Sequence, residues 1–458
     1  MTDRRVLVVG GGIAGLAAAV ALLDEPGTTV EVWEAADRLG GKIASSSFAG
    51  VEQVDEGADA FLTRVPHAVA FAERLGVTDL TAPTAATASV WHGRLLDIPG
   101  GIVLGMPAAI RPFLTTSLLS VKGKARAAVE PLLPRRDHGD SLGALVRYRF
   151  GDEVHERLVD ALVGSIYAAD TDRSSLTAVP QLAALAAHSR SLLLAGRRAR
   201  RESSAAAGGP IFATPRSGMA RLVAAAGDDI RRRGGTIATG RPATTLSRDG
   251  GGWRVDDERF DAVVIAAPAR VAAALLTATS PAAAASLAAI ESADVIMVRL
   301  AVAGAAWPER LDGRSGYLVP KPDQRFVTAA SFGSEKWSHW RPDEGTQVLR
   351  ASLGRDGLAV AGLDDDSVIR HTIDDMSRHL ELDLQPTDIS ITRWHDAFPQ
   401  YRPGHHERVA AIEAPLPATI AIAGAGYRGI GIPACIADGE RAARKLKTSS
   451  THADGSLT

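Results

Sequence analysis

Three observations predict an α/β protein. A β-branched run, Val6 to Val9, leads into a helix-forming stretch, Ala14 to Leu23, and then a second strand, Val30-Glu31-Val32-Trp33, so the chain opens with a βαβ unit and a parallel sheet. From about Ala85 to Arg201 the apolar residues recur at helical spacing, as in Leu142, Leu145, Val146 and then Val154, Leu158, Ala161, Leu162. Residues 291 to 395 alternate strands (Ile296 to Val302, Gln347 to Ser352, Ile389 to Trp394) with a helix around Asp366 to Leu380. The expected architecture is a Rossmann-like parallel core, a helical insertion and a second, mixed-sheet region.

Between these regions, Arg197-Arg198-Ala199-Arg200-Arg201 and the small-residue stretch to Pro210 read as a solvated charge run and a linker. Met219 to Arg233 has a helical pattern. Thr236 to Val255 reads as a meander broken by Asp249-Gly250-Gly251-Gly252, and Asp261 to Pro268 as a buried parallel strand. Thr419 to Ala423 is a last apolar strand, and Pro433 suits the first turn of a helix running to about Lys445. The polar stretch from Thr448 to Thr458 is expected to be disordered.

A length of 458 residues leaves room for about three structural units. With 46% apolar and 23% charged residues the composition is that of a globular chain. Fifty-one basic against 53 acidic residues give a net charge of -2, so no overall field recruits nucleic acid, and an anionic ligand must be held by local groups. The single cysteine, Cys435, forbids an internal disulfide and a Cys-rich metal or iron-sulfur site, and His405-His406 reads as a polar loop rather than a metal pair. No signal peptide is read in the glycine-interrupted N-terminus, and no apolar window reaches about 20 residues. A cytoplasmic protein with at most peripheral membrane contact is expected.

Gly10-Gly11-Gly12-Ile13-Ala14-Gly15 spells G-x-G-x-x-G between the first strand and its helix, and Glu34 closes the second strand. That context specifies dinucleotide binding: the glycines allow close backbone approach, a pyrophosphate meets the helix N-terminus, and the carboxylate accepts from ribose hydroxyls. A glutamate at 34 disfavours a 2'-phosphate. Gly424, Gly426 and Gly429 repeat the spacing, but the roughly 30 residues that follow cannot supply another βαβ unit. They place a helix N-terminus instead, a dipole suited to negative charge.

Beyond Glu34-Ala35 the chain reads Ala36-Asp37-Arg38-Leu39-Gly40-Gly41-Lys42. This E-x-x-x-R-x-G-G-K pattern resembles the amine oxidase and desaturase superfamily, which implies one non-covalent FAD. Five further stretches in order resemble the protoporphyrinogen/coproporphyrinogen oxidase family: Asp55 to Phe61, Ser165-Ile166-Tyr167-Ala168-Ala169-Asp170, Gly316 to Pro320 with Lys336-Trp337, Trp394 to His405, and Gly426 to Gly439. The second departs from the family's G-I-Y-A-G-D at 165 and 169.

That resemblance implies a six-electron oxidation of a porphyrinogen, with O2 as electron acceptor and H2O2 released. It implies flavin contacts at Gly10 to Gly15, Glu34, Ala35, Arg38, Gly41, Lys42, Gly57, Ala58, Asp59, Ala60, Ala243 by its backbone, Trp394, and Ile430, Gly431 and Ile432. Arg64, Tyr167, Phe332 and Lys336 are the substrate candidates: Phe332 for stacking, Tyr167 for lining, Arg64 or Lys336 for a propionate. No metal site and no catalytic residue is assigned. The implied divisions are an FAD-binding domain from 1–84, 210–285 and 390–447, a helical, membrane-binding-like insertion over 85–209, and a substrate sheet over 286–389. With 44 arginines against 7 lysines the codon usage suggests a GC-rich genome, in whose family context the coproporphyrinogen substrate is preferred to protoporphyrinogen. The resemblance favours a monomer with transient contact to a ferrochelatase. A flavin amine oxidase, a carotenoid desaturase and a non-enzymatic FAD-binding regulator are the alternatives.

Overall fold

The computed structural model describes residues 4–85, 87–206, 209–342 and 345–453. Its first sheet is parallel and five-stranded, in the order Thr236–Ala238, Thr28–Trp33, Arg4–Val9, Ala262–Ile265, Ile420–Ile422. Val6 pairs with Val30 on one side and Ala262 on the other, and Val263 pairs with Ile420, so strands far apart in sequence share one register. Valine and isoleucine dominate because both faces of the sheet are covered. The helices Ile13–Leu22, Ala220–Arg232 and Ile432–Ala453 cover one face. Ala269–Leu276, Pro281–Ala288, His405–Glu413 and the three-stranded meander Leu246 to Phe260 cover the other. Apolar or small residues fill Ile13–Leu22 almost all round, as expected of a helix held between the sheet and another helix. A Cβ on Gly439 would collide with the Ala14 carbonyl oxygen, so a bare backbone lets the last helix lie close on the first.

The second sheet has seven strands, in the order Pro386–Pro399, Ser292–Ala303, Thr346–Leu353, Val327–Phe332, Arg314–Leu318, Thr87–Trp91, Leu95–Asp97. The helix Asp365–Leu380 backs it, started by Asp364, whose carboxylate accepts from Ser367 N at 2.8 Å. A third apolar cluster lies in the helical region, built around Leu142–Phe150, Pro180–His188 and the wide-turned segment His155–Gly164.

Several expected boundaries shift. Thr87–Trp91 and Leu95–Asp97 fall inside the segment read as a helical insertion; Thr87–Trp91, with its β-branched and aromatic residues, pairs with Arg314–Leu318 of the second sheet, and Leu95–Asp97 pairs with Thr87–Trp91 as the edge strand. Position 390 lies within Pro386–Pro399, which pairs along its length with Ser292–Ala303 and so belongs to the second sheet. The Arg197 to Arg201 run is helical, within Leu192–Ala206, because arginine and alanine favour helix; 207 and 208 of the expected linker lie outside the described residues. The last helix continues past Lys445 to Ala453, and 454–458 lie outside the described residues. No helix among the described residues is long and apolar enough to cross a membrane.

Candidate functional site: a glycine-lined cradle

The glycines after the first strand differ in their physical reasons. Gly10 has φ +107° and a Cβ there would lie 2.6 Å from Ala266 O; a Cβ on Gly15 would collide with Gly10 O; one on Gly11 would lie 2.6 Å from Leu39 Cδ2. These three serve packing. A Cβ on Gly12 would meet nothing within 4 Å. Gly12 caps Ile13–Leu22 with extended backbone, no capping side chain and no acidic residue in the first turn. Open ground therefore lies beside uncapped helix N–H groups, which is what a pyrophosphate requires. Ile13 and Ala14 are buried in that first turn. The fit to a dinucleotide cofactor holds on this observation.

Glu34 accepts from Gly11 N at 2.6 Å and from Ala36 N at 2.9 Å, so its carboxylate braces the glycine turn. Ala35 is exposed beside it. Arg241 N donates to Glu34 O at 2.8 Å, which brings the loop holding Ala243 against the same strand end. Arg38 donates to Leu39 O, Ile43 O and Gly41 O at 3.1, 3.2 and 2.9 Å. Its role here is to shape the 38–43 turn, and that turn sets Gly41, whose Cβ would lie 3.3 Å from Gly12 Cα, against the helix start. Burial lowers the pKa of Lys42, the next residue.

The second glycine loop, 424–431, is pinned at three points. Asp438 accepts from Gly424 N at 2.9 Å. The Tyr401 hydroxyl accepts from Gly429 N and donates to Ala425 O, both at 2.7 Å. Cys435 N donates to Gly431 O at 2.9 Å, starting the helix. Gly424 and Gly429 have φ of +133° and +131°, and no acidic residue occupies the first turn beyond them. Gly431 is exposed, Ile432 is buried with the first helix, and Ile430 packs against the helical cluster together with Tyr167. Sequence reasoning missed Tyr401 and Asp438; Tyr401 lay within a recognised motif, but nothing local says where its hydroxyl goes.

The 55–60 segment joins the cradle to the second sheet. A Cβ on Gly57 would collide with Lys42 O, and Trp394 Cζ2 would stand 3.5 Å from it. Trp394 Nε1 donates to Glu56 O at 3.1 Å, and Arg350 donates to Gly57 O at 2.7 Å. Asp59 lies 2.8 Å from Lys336 Nζ, 3.2 Å from Arg350 and 3.1 Å from Trp337 Nε1. Burial alone would raise its pKa, but Lys336 and Arg350 outweigh burial and hold the carboxyl well below the usual range. Ala58 is exposed on this segment and Ala60 packs against the small cluster around Trp337 and Trp340.

Two substrate candidates are corrected. Phe332 is fully buried in the second sheet's core against Trp307 (ring centroids 4.9 Å apart) and Tyr317, so it has no face for a ligand. Lys336 is held in an ion pair with Asp59, a carboxylate it shares with Arg350. Tyr167 is held by a hydrogen bond from its hydroxyl to Ala178 O at 2.9 Å, and burial raises its pKa. Arg64 is exposed and pairs with no acidic group among the described residues.

Comparison with known proteins places the chain in a family. The family described as "Flavin containing amine oxidoreductase" matches residues 13–447. A coproporphyrinogen III oxidase of Bacillus subtilis is 31% identical over 462 residues, covering 96% of this chain and 97% of the relative. One of Mycobacterium tuberculosis is 34% identical, covering 96% and 97%. A crystal structure from Exiguobacterium sp. 255-15 superposes with a TM-score of 0.86 at 27% identity, covering 98% of this chain and all of that one.

Proposed function

The chain belongs to the flavin containing amine oxidoreductase family, and on that premise we propose that it is an FAD-dependent, oxygen-dependent coproporphyrinogen III oxidase. The overall reaction is coproporphyrinogen III with three O2 giving coproporphyrin III and three H2O2. The observation that carries this reading is full-length similarity to enzymes of that name, joined to a cradle whose glycine loops lie at two helix N-termini.

FAD is the cofactor. When bound, it supplies the electron-accepting and O2-reducing chemistry. Gly10 to Gly15 give the pyrophosphate its backbone donors, Glu34 takes the ribose hydroxyls, and the loop bearing Ala243 takes the adenine. The 424–432 loop presents a helix N-terminus whose dipole would favour the negative charge a bound flavin gains on reduction. Arg64, free and exposed, is the propionate candidate that remains. A ferrochelatase is the proposed recipient of product, and the exposed Ile110, Leu114, Val121 and Leu132 of the helical region support peripheral membrane contact at most.

The test is a competition between coproporphyrinogen III and protoporphyrinogen IX, following porphyrin absorbance and H2O2. Faster turnover of the copro substrate with three H2O2 per porphyrin is expected. Preference for protoporphyrinogen would move the assignment to the sister activity, and turnover of amines alone would overturn it.

A further inference from the structure

In the helical region, lined by no residue of either glycine loop, lies a cavity of about 410 Å³. Its polar lining includes Arg135, Arg136, His138 and Arg149, and its apolar wall includes Leu145, Leu176 and Leu192.

Arg149 is the unusual member. Its side chain is 5% exposed, yet its one hydrogen bond among the described residues is a long one, from NH1 to Leu133 O at 3.4 Å, and its Nε has no partner. The nearest carboxylate, Glu130, stands 3.7 Å away and is already committed: it accepts from Leu192 N at 2.8 Å, from Leu193 N at 3.3 Å and from the Ser191 hydroxyl at 2.5 Å, where it starts the helix Leu192–Ala206. A buried guanidinium with so few close acceptors is under-paired. His138 Nε2 is likewise buried without a partner. Arg136 has only the Tyr148 ring, 5.8 Å from its guanidinium carbon, and no carboxylate among the described residues. Arg135 donates to the helix-end carbonyls Ala187 O and Ala186 O at 2.7 and 3.4 Å, and Asp137 turns to Gly139 N. The cavity is thus lined by the exposed Arg136, by the unpartnered His138 Nε2, and by Arg149, which keeps only Leu133 O, the Tyr148 ring and the distant Glu130 among the described residues.

A planar guanidinium fork matches a carboxylate, and a leucine- and alanine-lined wall matches hydrocarbon. The volume lies within the range of small-molecule sites. We propose that this cavity binds an apolar carboxylic acid, with the carboxylate at Arg136 and Arg149 and the hydrocarbon body along Leu145, Leu176 and Leu192. None of its lining residues belongs to the cradle, so occupancy is separable from FAD retention.

Calorimetric titration of the FAD-loaded enzyme with octanoate, 1-octanol and inorganic phosphate tests the proposal. Octanoate is expected to saturate at one per chain, with octanol and phosphate each at least tenfold weaker. Arg136→Gln is expected to weaken octanoate at least fivefold while FAD content and porphyrinogen turnover stay at the parental level. Arg149→Gln should abolish binding; if that variant does not fold, Arg136→Gln decides alone. No saturable binding, equal binding of octanol, equal binding of phosphate, or an unchanged affinity in Arg136→Gln would each overturn the assignment.

Discussion

The hydroxyl of Tyr401 lies 2.7 Å from the backbone nitrogen of Gly429 and accepts its hydrogen, while it donates to Ala425 O at the same distance. One phenol thus clasps both arms of the C-terminal glycine loop. The Tyr401 carbonyl in turn accepts from Ser175 N at 2.6 Å, and its ring stacks on His405 at 3.8 Å. The residue connects the helical region to the C-terminal glycine loop.

Tyr401→Phe keeps the stack and loses the clasp. An unpaired buried N–H and C=O cost roughly 1–3 kcal/mol, so a lower melting temperature is expected. The flavin readout separates positioning from mere stability: the oxidised-to-reduced ratio at a fixed potential should shift about tenfold, some 30 mV for two electrons. An unchanged potential and absorption spectrum would show that the loop holds its place without the phenol.

Glu34→Ala removes the acceptor for Gly11 N and Ala36 N together with the proposed ribose contact. FAD affinity is expected to fall by tenfold or more, about 1.4 kcal/mol, read as flavin lost on gel filtration. Full flavin content afterwards would refute the ribose assignment.

Asp59→Asn leaves Lys336 and Arg350 beside a neutral group in a buried setting. Breaking such a pair from one side costs about 3–5 kcal/mol, reduced here because Lys336 is partly exposed. A fall in unfolding midpoint is expected, with the 55–60 segment losing hydrogen-exchange protection first. Lys336→Met combined with Asp59→Asn should recover part of the loss.

Gly439→Ala places a methyl group against Ala14 O and within 3.0 Å of Ala18 N. Backbone cannot yield as a flexible side chain does, so the two helices must separate, at a cost of about 1–3 kcal/mol. FAD should dissociate faster because both helix starts border the cradle. Parental stability and flavin content would mean that the helices slide apart freely.

Burial pushes the His405 imidazole down to about 4 from 6.5. Between those values the unfolded chain binds a proton that the folded chain does not, so stability falls as pH drops from about 6.5 towards 4. His405→Phe, which keeps a ring against Tyr401, should flatten the acid side of a melting-temperature profile. An identical slope in the variant would assign that loss to other groups.

The sequence by itself determined what is local or periodic. A βαβ unit is written in Val6 to Trp33 because strand, glycine turn and helix are contiguous and each has its own composition. The turn glycines Gly10, Gly15, Gly424 and Gly429 were legible for the same reason: a tight turn or a close approach admits few residue types, so composition reports it. Only the tertiary structure decided which long-range partner a side chain meets. Lys336 looked like a free cation until the second sheet delivered it to Asp59, 277 positions away, and Phe332 looked like a ligand face until Trp307 and Tyr317 closed over it. Tyr401 became a clasp only when its strand end met a loop 24 to 28 residues further on. Hydrogen bonds and ion pairs depend on angstrom-scale placement in space, which a spacing along the chain does not encode, whereas backbone conformation and apolar periodicity are properties of neighbours.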